Sequence, residues 1–254
     1  MITVDDFHKQ YEGTVAVAGL SFEVQAGEVL GLVGPNGAGK TTTLKALSGA
    51  IPLTRGRMAV QGYEVDRDAV EVKRRLAYVP DDPELFPDLT VNEHLAFIAA
   101  AYDVDDADAK AARLLEAYDL AERRAALARD LSRGQRQKLA ICCAYLHDPA
   151  ALLFDEPLTG LDPQGIRMLK ESILSRAADG AAVIVSSHLL ALIEDLCSRV
   201  LIIHRGRQRF CGTLAELKAR YGRSPSEATL EQIFFLATAE GPPRSVDSPM
   251  PSAY

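Results

Sequence analysis

Residues 34–41 read Gly34-Pro35-Asn36-Gly37-Ala38-Gly39-Lys40-Thr41, a glycine-rich stretch that ends in lysine and threonine. It follows an apolar run, EVLGLV at 28–33, and it leads into a run with helical pattern, TTLKAL at 42–47. The spacing is a complete G-x-x-x-x-G-K-[ST] motif, which between a strand and a helix predicts a loop that wraps phosphate groups. Glycines let successive backbone N–H groups point inward, and the N-terminus of the helix adds its dipole.

This loop predicts a nucleoside triphosphate site that uses Mg²⁺. We expect the Lys40 ammonium to reach the β- and γ-phosphates and the Thr41 hydroxyl to bind the metal. The residues of this stretch predicted to bind the nucleotide are Gly34, Asn36, Gly37, Ala38, Gly39, Lys40, Thr41 and Thr42.

A second motif, LLFDE at 152–156, places two carboxylates at the end of an apolar run. Open α/β sheets bind ligands at the carboxyl ends of their strands, so both carboxylates are expected beside the loop. Asp155 is predicted to hold Mg²⁺ through water. Glu156 is predicted to orient or deprotonate the water that attacks the phosphate.

Strand-like and helix-like runs alternate along the rest of the chain, which predicts a mostly parallel sheet covered on both faces. The fold class is therefore α/β: a P-loop NTPase core, an N-terminal antiparallel β layer and a helical subdomain. The expected boundaries are residues 1–84 and 148–212 for the core with its β layer, 85–147 for the helical subdomain, 213–237 for C-terminal helices and 238–254 for a disordered tail. The residues expected to start helices are Thr90 with Glu93, Asp162 with Pro163, Thr213 with Glu216 and Thr229 with Gln232.

Composition narrows the class of protein. The chain has 254 residues, is 48% hydrophobic and carries a formal net charge of −7, which argues against a nucleic-acid partner. Its four cysteines form no C-x-x-C pair, and Cys142 and Cys143 lie in an apolar run typical of a core. The N-terminus lacks a signal-peptide pattern, and the longest apolar runs are shorter than the ~18 residues that span a bilayer. We therefore expect a soluble, cytoplasmic chain that reaches a membrane only through another subunit.

The segment Leu131-Ser132-Arg133-Gly134-Gln135 lies 23 residues before Asp155, counted from Ser132. It resembles the LSGGQ signature of ABC-transporter ATPase subunits. Gly160-Leu161-Asp162 resembles the D-loop of that family, and Ser187-His188 after VIVS resembles its switch histidine. Tyr11 lies where the family stacks an aromatic ring on adenine.

The resemblance implies that ATP is the nucleotide and that two cassettes, identical or related, enclose two ATP molecules head to tail. Ser132, Gly134 and Gln135 would then meet the nucleotide held by Lys40 of the other cassette, together with Asp162. His188 would sense the γ-phosphate, so the predicted catalytic residues are Glu156, His188 and Lys40. The other histidines are interpreted as structural: His8, His94, His147 and His204.

Two positions depart from the family pattern. Arg133 replaces the first glycine of the signature, and Asp81 in YVPDD stands where the family usually has glutamine. Asp81 is predicted to contact the nucleotide and to accept a metal-bound water, but a carboxylate cannot donate as an amide does. The region after Asp81 is similar to the exporter-type branch, whose membrane subunits are separate polypeptides.

The sequence leaves three functions open. The first is a motor at the cytoplasmic face of the cell membrane that powers transport, most directly export, through a separate transmembrane permease. The second is a soluble ABC ATPase of cytoplasmic assembly work, of the iron–sulfur cluster type, which free cysteines near the site would favour. The third is a nucleotide-gated binding module with little turnover, against which Glu156 and His188 both argue.

Overall fold

The computed structural model describes residues 1–188, 190–221 and 230–239. The strands are β1 (Ile2–Tyr11), β2 (Thr14–Val24), β3 (Val29–Val33), β4 (Arg55–Val60), β5 (Tyr63–Glu64), β6 (Leu76–Val79), β7 (Ala151–Asp155), β8 (Ala182–Ser187), β9 (Arg199–His204) and β10 (Arg207–Thr213). The helices are α1 (Lys40–Leu47), α2 (Ala69–Arg75), α3 (Val91–Tyr102), α4 (Ala107–Ala117), α5 (Arg133–Leu146), α6 (Pro163–Ala178), α7 (Leu190–Leu196), α8 (Leu214–Tyr221) and α9 (Leu230–Ala239).

The main sheet has six strands in the order β10-β9-β3-β8-β7-β6. All neighbouring pairs are parallel except β9 with the edge strand β10. Every residue of β3, β7 and β8 is buried, which explains why these strands read as continuous apolar runs instead of alternating ones.

Successive residues of the main sheet belong to two different cores. Leu152 and Phe154 join the core formed with α3 to α9, whereas Leu153 joins the core formed with α1, α2 and the N-terminal strands. This division follows from the alternation of side chains along a strand. The fold is thus a central sheet between two layers, with the four-stranded antiparallel sheet β2-β1-β4-β5 on one side.

Side-chain caps begin the helices where the sequence predicts them. Thr90 with Glu93 and Ser132 with Gln135 form reciprocal capping boxes at α3 and α5. Asp162 caps α6, and Pro163 is its first residue. The Thr213 hydroxyl accepts a hydrogen bond from the Glu216 N–H at the start of α8. These caps set the directions in which α5 and α6 leave the site.

The C-terminal end differs slightly from expectation. Helix α9 ends at Ala239, so Thr238 and Ala239 belong to a helix and not to the predicted tail from 238. The predicted cap Thr229 and residues 240–254 lie outside the described residues. Within the described ranges, none of the helices combines the length and apolarity needed to cross a membrane.

Candidate active site

Strand order brings the candidate residues together. Strands β3, β8 and β7 are neighbours, and Val33 pairs with Ser187 while Asp155 pairs with Ser186. All three strands are parallel and therefore end at one edge of the sheet. The loop after β3, Glu156 after β7 and His188 after β8 meet at that edge.

The loop at residues 34–39 is built from close backbone approaches. Gly39 has φ 109°, and a Cβ there would lie 2.9 Å from the Ala16 carbonyl oxygen. A Cβ at Gly34 would lie 2.4 Å from the Ile203 carbonyl oxygen. Side chains are thus excluded from both ends of the loop, and α1 begins immediately after it at Lys40.

Lys40 supplies a buried cation to the site. Its side chain is 6% exposed, and its Nζ donates a hydrogen bond to the Gly34 carbonyl oxygen at 2.7 Å. The same Nζ lies 3.4 Å from Oε1 of Glu156. The ammonium therefore lies between the loop backbone and a carboxylate.

Glu156 is held by its backbone and by both carboxylate oxygens. Its φ is +46°, a left-handed conformation uncommon for a non-glycine residue and frequent at functional sites. Its N–H contacts both the carbonyl and the hydroxyl oxygen of Ser186, at 3.2 Å and 3.0 Å. Oε2 accepts a hydrogen bond from His188 Nδ1 at 2.8 Å. Oε1 is buried and has no hydrogen-bond partner in the described part of the chain, which leaves an acceptor available.

Asp155 lies behind Glu156 and is 1% exposed. It accepts a hydrogen bond from the Ser186 hydroxyl at 2.6 Å and one from the Tyr78 hydroxyl at 3.3 Å. Burial, and next the charge of Asp155, raise the pKa of Tyr78, so this hydroxyl stays protonated. Tyr78 and Ser186 were not predicted from the sequence. The only signal available was for Ser186, which lies near the end of the apolar run of β8; the sequence carries no such signal for Tyr78 because β6 is not predicted.

The loop and Glu156 border a cavity of about 410 Å³. It is lined by residues 35–42, Ala16, Asp81 and Glu156, and we call it the phosphate-loop cavity. Asp81 faces it from the segment after β6, and its carboxylate also pairs with Arg133 at 3.1 Å.

The donor set fits a nucleotide phosphate with Mg²⁺. A buried ammonium, a glycine loop and a helix N-terminus favour an anion. Mg²⁺ is usually bound by one or two protein oxygens, with water and phosphate completing its shell. The described residues contain no group of three or more His, Cys, Asp or Glu that would form an all-protein metal site. Thr41 and Asp81 line the cavity with side-chain oxygens, whereas Asp155 lies outside the lining and precedes Glu156 in the chain.

The remaining predicted residues lie outside this cavity lining. Ser132, Gly134 and Gln135 form the first turn of α5, and Asp162 Oδ1 accepts a hydrogen bond from the Gly165 N–H. Tyr11 ends β1 and is 47% exposed, with Lys9 Nζ 4.9 Å from its ring centroid. A single chain thus brings residues 35–42, Asp81 and Glu156 to one cavity, while His188 and Asp155 lie outside the lining and His188 contacts Glu156.

A parallel sheet with this loop, a buried lysine and paired carboxylates defines a P-loop nucleotide-binding protein. The sequence profile described as ABC transporter matches residues 17–159, and the chain belongs to the ABC transporter family. It is an ATP-binding and ATP-hydrolysing subunit of that family. ABC subunits of this kind work with transmembrane permease subunits.

Individual relatives of this chain are also ATP-binding proteins of this family. The chain is 35% identical over 224 residues to the linearmycin resistance ATP-binding protein LnrL of Bacillus subtilis (strain 168), which covers 87% of this chain and 72% of the relative. It is 38% identical over 209 residues to the Nod factor export ATP-binding protein I of Burkholderia pseudomallei (strain 1710b), which covers 82% and 69%. A solved structure of an ATP-binding subunit of an ABC transporter superposes with a TM-score of 0.88 at 33% identity, covering 93% of this chain and 99% of that one. The predicted family and fold class are confirmed.

Proposed function

We propose that ATP binds in the phosphate-loop cavity and that its hydrolysis there powers export of a substrate through a separate transmembrane permease. The observation that carries this proposal is the position of Glu156, whose carboxylate contacts both Lys40 and His188 beside the cavity. Export is favoured because the names of two relatives concern linearmycin resistance and Nod factor export.

Each residue of the site has a role that its contacts support. Lys40 and the loop N–H groups hold the phosphates, and Tyr11 stacks on the base. Glu156 takes a proton from, or orients, the attacking water, and His188 orients Glu156 through the Nδ1 hydrogen bond. Thr41 would bind Mg²⁺ directly, and Asp155 and Asp81 would hold it through water, so that the metal would supply charge neutralisation at the phosphates.

The active unit is proposed to be a head-to-tail pair of cassettes, either two copies of this chain or one copy with a related cassette. Ser132 is exposed at the N-terminus of α5, where the helix dipole favours an anion. Its hydroxyl accepts the Gln135 N–H within the capping box and still has a proton to donate. Ser132, Gly134, Gln135 and Asp162 would thereby contact the ATP held by the opposite cassette.

The permease is proposed to dock in an apolar groove of about 580 Å³ beside the helical segment. The groove is lined by Leu76, Phe86, Phe97, Ile98, Tyr102 and His147 among others, and it continues to Pro80 and Asp82 next to Asp81. Phe86 and Phe97 are 54% and 52% exposed, and their rings meet edge to face at 5.6 Å. Exposed aromatic pairs of this kind are typical anchors at protein interfaces. Docking there would hold the chain at the cytoplasmic face of the membrane.

We also propose boundaries for the parts of the chain. Residues 1–84 and 148–212 form the nucleotide core with its β layer, 85–147 the helical subdomain and 213–239 the C-terminal helices, the last of which ends at Ala239. The described cysteines give no support to an assembly role of the iron–sulfur type. Burial raises the pKa of Cys143 and of Cys197 to about 12, and it raises that of Cys142 as well, so these thiols are not poised as ligands.

The nucleotide site is tested by ATP binding. Lys40→Ala should abolish binding of a fluorescent ATP analogue, whereas Lys45→Ala, an exposed lysine one turn further along α1, should bind it as the wild type does. Unchanged binding by Lys40→Ala would contradict the site.

Docking is tested with the chain co-expressed with its candidate permease. Phe86→Ser with Phe97→Ser should release the chain from detergent-purified complex, while Leu174→Ser, an apolar residue 46% exposed on α6, should not. Retention of the double variant would exclude the groove as the docking site.

A further inference from the structure

Arg133 and Asp81, the two departures from the family pattern, are partners in this structure. Arg133 is the first residue of α5, and its Nη2 donates a hydrogen bond to Asp81 Oδ1 at 3.1 Å. Their side chains are 45% and 48% exposed. The pair therefore lies at the surface, at the rim of the phosphate-loop cavity that Asp81 lines.

A second contact fixes the same segment to α5. Gln137 lies four residues after Arg133, on the same face of the helix, and its Nε2 donates a hydrogen bond to the Pro80 carbonyl oxygen at 3.4 Å. Gln137 is only 1% exposed. Arg133 and Gln137 thus hold Pro80 and Asp81 against the first turns of α5.

The stem of Arg133 also crosses the segment after β7. A Cβ added at Gly160 would lie 3.1 Å from Arg133 Cδ and 3.2 Å from its Cγ. A Cβ added at Gly134 would lie 2.7 Å from the Gly160 carbonyl oxygen. The helix end and the segment at Gly160 are therefore in close contact, and the guanidinium extends from that contact to Asp81.

The charged side chains that line the cavity indicate that a cation paired with Asp81 would favour nucleotide binding. The lining contains two carboxylates, Asp81 and Glu156, and one ammonium, Lys40. The Lys40 ammonium is already 3.4 Å from Glu156. A nucleotide phosphate is an anion, so an unpaired carboxylate in the cavity lining would repel it.

We propose that Arg133 is a positioning residue for ATP: it neutralises Asp81 and holds it at the cavity rim, so that a carboxylate at this position is compatible with nucleotide binding in the same chain. The inference rests on the proposal that ATP binds in the phosphate-loop cavity. Arg133 would act on the binding of MgATP, so removing its charge should change KM for MgATP and have little effect on kcat.

The test is a double-mutant cycle in steady-state MgATP hydrolysis by the full chain. Arg133→Met keeps the aliphatic stem over Gly160 and removes the charge. We expect it to raise KM about two- to fivefold, the range for a partly exposed ion pair. In an Asp81→Asn background Arg133→Met should not raise KM further, because no carboxylate is then left unpaired. Arg133→Lys keeps a charge and should recover most of the loss.

Arg129→Met is the matched control, because it breaks the exposed Arg129–Asp88 ion pair in the same helical segment. It should leave KM unchanged. Thermal melting of every variant reports folding separately. An unchanged KM in Arg133→Met, or an equal rise in KM when Arg133→Met is made in the Asp81→Asn background, would overturn the proposal.

A failure of the proposed nucleotide site is distinguishable from a failure of this inference. Lys40→Ala, assayed alongside, loses hydrolysis if the site is right. Hydrolysis retained by Lys40→Ala contradicts the site itself, whatever the Arg133 variants do.

Discussion

The Nδ1 atom of His188 lies 2.8 Å from Oε2 of Glu156, and the His188 N–H lies 3.3 Å from the same oxygen. An ionised carboxylate only accepts hydrogen bonds, so Nδ1 of His188 carries the proton in this contact. The pair connects the ends of β7 and β8, two strands that neighbour each other in the main sheet. Two residues predicted for separate tasks are therefore one structural unit.

This pair predicts that His188 acts on hydrolysis through Glu156. His188→Ala should lower kcat by about 10- to 100-fold, since Glu156 loses the contact that orients it. His204→Ala, at the end of β9, is the control and should retain the wild-type rate. In a Glu156→Gln background the further loss from His188→Ala should be small. Independent, fully multiplicative losses would show that His188 acts without Glu156.

Ser186 is predicted to stabilise both carboxylates of the site. Its hydroxyl donates to Asp155 and accepts from the Glu156 N–H. Ser186→Ala leaves the buried Asp155 short of a donor and should lower the free energy of unfolding by about 1–3 kcal/mol. Urea unfolding measures this, with Ser175→Ala, an exposed serine on α6, as the control. Equal stability of the two variants would exclude a supporting role for the hydroxyl.

His147 predicts a pH dependence of stability in the helical segment. Burial lowers the pKa of His147, whose ring stacks on Tyr102 with centroids 4.0 Å apart. The unfolded chain, with a histidine pKa of about 6.5, binds the proton more readily than the folded one. The contribution is therefore complete above that pH and is lost as pH falls below it. The free energy of unfolding should decrease between about pH 7 and about pH 5.

His147→Phe keeps an aromatic ring against Tyr102 and removes the titrating group. The decrease in unfolding free energy over the same pH interval should be smaller in this variant. An identical pH profile would assign the acid sensitivity to other groups.

The sequence was sufficient for the parts of the site that depend on local pattern. The loop at 34–41, the apolar runs of β3, β7 and β8, and the caps at Thr90, Ser132 and Asp162 all follow from short-range rules. Burial on both faces made the central strands apolar throughout, so their ends could be located. The candidate carboxylates follow directly from those ends.

The rest depends on contacts between distant residues. Strands β6 and β10 were not predicted, because β6 directly follows α2 without a turn signal and β10 is a mixed-polarity edge strand. Asp81 and Arg133 are 52 residues apart, and each looked like a separate departure until the fold brought them together. Tyr78 reaches Asp155 across the β6–β7 pair in the same way.

Single-turnover hydrolysis of MgATP by Glu156→Gln tests most directly whether the Glu156 carboxylate activates the attacking water. The variant removes the carboxylate between Lys40 and His188 but keeps its size, so ATP should bind with unchanged affinity and hydrolysis should slow by about 10²-fold or more. Glu116→Gln, an exposed residue on α4, should hydrolyse ATP at the wild-type rate. Glu156→Gln should also accumulate as an ATP-bound dimer in size-exclusion chromatography. A wild-type rate of hydrolysis by Glu156→Gln would contradict the proposal that Glu156 activates the attacking water.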